Sequence, residues 1–146
     1  TDDTDFRNLN VKYQTRMSDC VFCNISRKII AENELSIAFY DKFPVTSKHV
    51  LVIPKRHCND YFELSQPEIN AMNRLTHNLK SKFSKEDTSI TGYNIGFNTG
   101  ADAGQTVFHC HMHLIPRRKG DLENPIGGVR NIISGKGDFK TKPNKT

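Results

Sequence analysis

No stretch of this 146-residue chain approaches the roughly 18 consecutive apolar residues that a membrane span requires. The opening run Thr1-Asp2-Asp3-Thr4-Asp5 is too polar for a signal peptide. Cysteine is scarce: Cys20, Cys23, Cys58 and Cys110 are too few and too unevenly spaced for a disulfide scaffold, which favours a reducing, cytoplasmic setting with no membrane partner. There is no internal repeat and no Gly-Lys-Ser/Thr, which excludes a P-loop nucleotide site. The net charge of +5 is gathered mainly in Arg117-Arg118-Lys119 and in a tail carrying Lys136, Lys140, Lys142 and Lys145. Such charge suits an anionic ligand, although a solvated surface and frayed end account for the tail better.

What remains is one domain long enough to bury an ordinary core. Residues 1–18 are polar and aperiodic and read as a loose arm, 19–133 as the domain, and 134–146 as a basic disordered tail. Ser18-Asp19 are good helix caps, so a short helix is expected to follow over Cys20–Ser26. Leu35–Tyr40 alternates as a strand, and His49–Ile53 is a second, fully apolar strand ending at Pro54. Ser65-Gln66-Pro67-Glu68 is a capping box opening the clearest helix, along which Ile69, Met72, Leu75, Leu79 and Phe83 recur at helical spacing. Tyr93–Asn98 alternates again. Strands, one good helix and more strands describe an α+β domain: an antiparallel sheet of about five strands, covered by the long helix and accompanied by the short N-terminal one.

Chemistry concentrates in Thr106-Val107-Phe108-His109-Cys110-His111-Met112-His113-Leu114-Ile115, where three of the six histidines alternate with apolar residues. A β-strand would bury Phe108, Cys110, Met112 and Leu114 on one face and put the histidines on the other, with Cα atoms about 6.6 Å apart. Upstream, Gly100–Thr106 is a small-residue loop. Two mechanisms use imidazoles so spaced. In one, they ligate a zinc ion that activates water; in the other, a neutral imidazole attacks phosphorus and forms a covalent nucleotidyl-histidine. Only the second needs donors for nonbridging phosphate oxygens. Backbone amides from Gly104 to Thr106, the Gln105 amide and the Thr106 hydroxyl are expected to supply them.

Gly104-Gln105-Thr106-Val107-Phe108-His109-Cys110-His111-Met112-His113 resembles the motif of the histidine triad family of nucleotide hydrolases and transferases. Cys20-Val21-Phe22-Cys23, Phe39-Tyr40-Asp41, Pro44–His57 and Asn98 resemble other segments of that family in the same order, so the likeness covers about residues 20–130. It implies a homodimer that binds a purine nucleotide, with His111 as the nucleophile on the α-phosphate and His113 holding a phosphate oxygen. It further implies that Gln105 orients the phosphate and leaving group, that Gly104, Thr106 and Asn98 help hold the phosphate, and that Asp41 accepts the ribose hydroxyls. Phe22, Ile25, Phe39 and Leu51 would line a slot for the base, and His49 would support the site by hydrogen bonding. In bacterial-type members similar to this chain a structural zinc is implied at Cys20, Cys23, His57 and His109. Gln-Thr before the triad and Ile-Pro-Arg after it look more like the dinucleoside polyphosphate hydrolase branch than the phosphoramidase branch. Two readings of another class stand beside it: a zinc hydrolase with the triad as open-site ligands, and a noncatalytic nucleotide- or RNA-binding module using the basic tail.

Overall fold

The computed structural model describes residues 17–140. Of the expected arm and tail, residues 1–16 and 141–146 lie outside the described residues. Five antiparallel strands form one sheet: β1 (Ala31–Glu32), β2 (Ser36–Tyr40), β3 (Val50–Pro54), β4 (Ile90–Phe97) and β5 (Met112–Arg118), in the order β1-β2-β3-β5-β4. One long helix, α1 (Gln66–Glu86), covers the sheet. Among the described residues no helix is long and apolar enough to cross a membrane.

The start of α1 follows from its sequence. Ser65 Oγ accepts from the Glu68 N–H, and the Glu68 carboxylate accepts from the Ser65 N–H at 2.9 Å, satisfying two amides that have no partner within the helix. Arg56 donates to the same carboxylate. From there Met72, Leu75, Leu79 and Phe83 pack on Ala38, Val50, Val52, Met112 and Leu114, which alternate on one face of the sheet. Residues of opposite parity, Ile37, Phe39, Leu51 and Ile53, form the second face, where Cys20 and Phe22 close a smaller cluster.

Two expected elements differ. Residues 20–26 form turns rather than a helix: the Asn24 N–H closes one turn on the Cys20 carbonyl, and the Asn24 side chain donates to the carbonyls of Met17, Ser18 and Cys20. A side chain that takes up three carbonyls ends a helix before it can propagate. The histidine run is also a strand only from Met112 onward. The β3–β5 register pairs Val50 with Leu114 and Val52 with Met112, which would set Cys110 opposite Pro54. Proline has no N–H to continue a ladder, and the Cys110 N–H bonds the Cys58 carbonyl instead, at 2.8 Å. Residues 107–109 bend away at that point. At the other end the strand runs on through Pro116 to Arg118.

Candidate active site

His111 and His113 project from the second face of the sheet, with ring centroids 5.2 Å apart. Register sets Leu51 beside His113, and Gly96 flanks it on the other side. Hydrogen bonds assign the protons. His111 Nδ1 lies 2.8 Å from the His109 carbonyl, which can only accept, so the proton is on Nδ1 and the lone pair on Nε2. No described residue offers that Nε2 a hydrogen bond, and the ring as a whole is 9% exposed. His49 Nδ1 accepts from the Val45 N–H at 3.1 Å, so its Nε2 carries the proton and donates to His113 Nδ1 at 2.9 Å. His113 is thereby left with its proton on Nε2, available to a phosphate oxygen.

Burial pushes His49 and His111 below the ordinary imidazole range, against the attraction of Asp41. His113 is pushed down to about 4, by burial first and by the neighbouring His111 and His49 rings second. With all three held below the ordinary imidazole value, the neutral form is favoured at pH 7. Asp41 sits at the edge of this group, its Oδ2 3.5 Å from His49 Nε2 and 4.0 Å from His113 Nδ1. Asp41, His49 and His113 are close enough to surround a cation. The Val45 N–H argues against that use, because it holds the His49 proton on the nitrogen that would have to ligate.

His109 faces elsewhere. Its Nε2 donates to the Pro54 carbonyl at 2.8 Å, which leaves the Nδ1 lone pair 3.5 Å from both Cys20 Sγ and Cys23 Sγ. Cys23 Sγ is 3.2 Å from His57 Nδ1. In a tetrahedral zinc site, sulfur and nitrogen ligand atoms lie about 3.5 Å apart. Two thiols and two ring nitrogens with this spacing, one of them oriented by a backbone carbonyl on its far side, fit the ion without rearrangement. The set is complete with four ligands and takes only one histidine from the triad.

The loop before the triad departs from expectation. Gly104 has φ 94° and Gly100 φ 88°, left-handed conformations that suit glycine and let residues 100–105 close on themselves. Closure consumes amides: the Gly104 N–H bonds the Ala101 carbonyl and the Gln105 N–H bonds the Gly100 carbonyl. The Gln105 side chain is buried, its oxygen accepting from the Gly100 N–H and its nitrogen donating to the carbonyls of Asn59 and Val107. The Gly104 and Gln105 amides and the Gln105 side chain, all expected as phosphate donors, are therefore engaged within the protein. The exposed Thr106 N–H and hydroxyl, and the Asn98 side-chain amide beside Gly104, are the donors left at the site.

Phe22, Phe39 and Leu51 come together as expected, with Ile25 packed against them, but as a closed cluster. Phe22 sits edge-on to His111 at 5.2 Å and to Phe39 at 5.4 Å. The open cleft lies on the other side of His113. It measures about 710 Å³ and is lined by Val45, Ile95, Ile115, Val129, Ile132 and Ile133, with His49, Asn98, Gly104 and His113 at one end. Sequence reasoning missed this wall. Its outer part comes from residues 128–132, a short 3-10 turn in a segment read only as a loop. Arg117 and Arg118 do not serve the cleft as anion contacts: Arg117 is paired with Asp121 and Arg118 with Asp87, both at 2.8 Å.

The HIT domain family matches residues 23–120. An uncharacterised HIT-like protein of Mycoplasma genitalium is 42% identical over 105 residues, covering 68% of this chain and 74% of its own. The asymmetrical bis(5'-nucleosyl)-tetraphosphatase of Schizosaccharomyces pombe is 35% identical over 103 residues, 70% of this chain and 56% of that one. Among solved structures, a Zn-bound histidine triad family protein from Mycobacterium smegmatis superposes with a TM-score of 0.66 at 34% identity, covering 73% of this chain and 80% of that one.

Proposed function

The chain belongs to the histidine triad family of nucleotide hydrolases and transferases, and from that premise we propose that it hydrolyses nucleotides at the α-phosphate through a covalent nucleotidyl-His111. The observation that carries this reading is the hydrogen bond from His111 Nδ1 to the His109 carbonyl, which leaves the lone pair on Nε2 to act as a nucleophile. Nε2 attacks phosphorus, the bond from phosphorus to the leaving group breaks, and the leaving group departs with the electron pair. His113 Nε2–H and Thr106 donate to the nonbridging oxygens as charge gathers on them. Water then attacks phosphorus, the P–N bond breaks, and a nucleoside 5'-monophosphate leaves with His111 restored.

Dinucleoside polyphosphates are the substrate class we propose, supported by the Gln-Thr and Ile-Pro-Arg flanks of the triad and by the likeness to a tetraphosphatase. One observation favours purine nucleoside phosphoramidates instead: among the described residues no lysine or arginine lines the cleft beyond His113, and Asp102 does, which suits an amine better than a departing polyphosphate. A purine is the base we propose, because the larger ring gains more from burial against the apolar wall of the cleft, Ile95, Val129 and Ile132. Asp41 is the residue we propose to accept the ribose hydroxyls, since a carboxylate can take two hydrogen bonds from a cis-diol.

Cys20, Cys23, His57 and His109 would hold zinc as a closed structural brace beneath the nucleophile. The triad does not converge on one ion, which weighs against an open-site zinc hydrolase, and the paired arginines weigh against a module that binds by basic charge. We further propose a homodimer, with the eight-residue edge strand β4 as a surface suited to self-association. Four free cysteines agree with a reducing, cytoplasmic compartment.

Acid-labile adenylate attached to His111 should be trapped when wild-type protein is quenched during turnover of diadenosine tetraphosphate or adenosine phosphoramidate, and the faster of the two identifies the leaving group. His111→Ala should lose turnover by about three orders of magnitude or more while still binding AMP. Turnover without an adduct, or near-normal turnover by the variant, overturns the covalent route.

A further inference from the structure

Three consecutive residues, His57-Cys58-Asn59, reach into three parts of the site. The His57 ring belongs to the four-ligand group. The Cys58 carbonyl accepts from the Cys110 N–H at 2.8 Å and so holds the segment between His109 and His111. The Asn59 carbonyl accepts from Gln105 Nε2 at 2.6 Å and so holds the phosphate-side loop. Gln105 is only 4% exposed, and its remaining bonds go to the Gly100 N–H at 2.9 Å and the Val107 carbonyl at 3.1 Å. Those bonds bracket Thr106: the side chain of the residue before it grips the carbonyl of the residue after it, which constrains the backbone that carries the Thr106 N–H. Strand pairing cannot do this work, because the ladder between β3 and β5 ends at Val52 and Met112.

We propose that Gln105 is a positioning residue that couples metal occupancy to phosphate binding. With Cys20, Cys23, His57 and His109 drawn onto one ion, the Cys58 and Asn59 carbonyls are held at fixed places. The nucleophile segment and the Thr106 donors are then held at fixed places relative to each other. Without the ion, residues 57–59 keep the Asn59 N–H bond to the Glu63 carboxylate and the buried Cys58 thiol beside Cys110, but lose the anchor through the His57 ring, and the donor loop relaxes with it. The coupling is thermodynamic and therefore reciprocal: whatever factor zinc adds to the affinity for a phosphate ligand, that ligand must add to the affinity for zinc. It rests on the reading of the site given above, with His111, His113 and Thr106 around the phosphate and zinc at the cysteine pair.

The test measures both affinities in the full chain. AMP binding by calorimetry should be about fivefold or more tighter in zinc-loaded protein than in chelator-stripped protein. Zinc affinity, read by competition with a chromophoric chelator, should rise by the same factor when AMP is saturating. Gln105→Met keeps the buried volume and removes all three hydrogen bonds. It should still bind both partners, with the factor reduced to within about twofold. If stripped protein loses its near-ultraviolet dichroism, the competition arm alone decides. A wild-type factor of one, or a factor that survives intact in Gln105→Met, overturns the coupling and leaves the site reading in place. No zinc binding, or no AMP binding, overturns the site reading and the coupling with it.

Discussion

His113 shows how a single position combines several demands. It lies at the start of β5, just after the bend, accepts a hydrogen bond from His49 Nε2–H at one nitrogen, and is left with a donor on the other. Its neutrality has a measurable consequence for stability. The folded state holds its pKa at about 4, below the unfolded value of 6.5, so between those values the unfolded chain takes up a proton that the folded chain refuses. The stabilisation is complete above pH 6.5 and is lost as pH falls to about 4. The full shift would be worth about 3 kcal/mol, and solvent screening of this partly exposed ring reduces it to about 2 kcal/mol. The urea midpoint should therefore fall between pH 7 and pH 4, and fall less in His113→Gln; a midpoint flat across that range in the wild-type protein would show that the ring is not held neutral. Gln105 carries the opposite lesson. Its amide has the right chemistry for a phosphate, and its neighbours in the sequence suggested that use, but three protein partners take it up.

At the scale of elements, α1 was the most legible part of the chain because its start and its buried stripe are both local. The capping box involves four adjacent residues, and the stripe recurs at a period that only a helix satisfies. Ser65→Ala removes one half of the box and should cost about 1 kcal/mol, lowering the melting temperature by about 3 °C. The variant should leave kcat unchanged, since Ser65 contacts none of the histidines; an unchanged melting temperature would mean the cap does not limit stability. The histidine strand was half legible. Alternation of polar and apolar residues correctly placed His111 and His113 on one face with Met112 and Leu114 on the other. It did not foresee that Pro54, more than fifty residues away, denies Cys110 a ladder partner and bends residues 107–109 toward the cysteines. The short N-terminal helix failed for a similar reason. Ser18 and Asp19 are good caps, but Asn24 binds the carbonyls that the helix would have needed.

At the scale of the whole molecule, the sheet has two faces with different duties. The helix seals one, and the other is sealed only in part, by the turn carrying Cys20 and Phe22, leaving the cleft beside β4 and β5 open. An edge strand of eight residues borders that cleft, and Ile95 on it is half exposed. A homodimer would cover that edge and should give twice the chain's 16.6 kDa by light scattering. A monomer at micromolar concentration would overturn the dimer and leave the catalytic reading standing.

Composition and periodicity alone determined an α+β domain without a disulfide framework, one amphipathic helix, and a histidine cluster beside a glycine-rich loop, because each of these is written in residues a few positions apart. Tertiary structure decided which imidazole nitrogens carry protons, which loop donors remain available, and that His109 leaves the triad to join Cys20, Cys23 and His57. Those outcomes depend on partners such as Pro54, Cys58 and Asn59, which lie about fifty residues from the histidines. A hydrogen bond has one donor and a fixed reach, so which group it serves is settled only when the chain has folded.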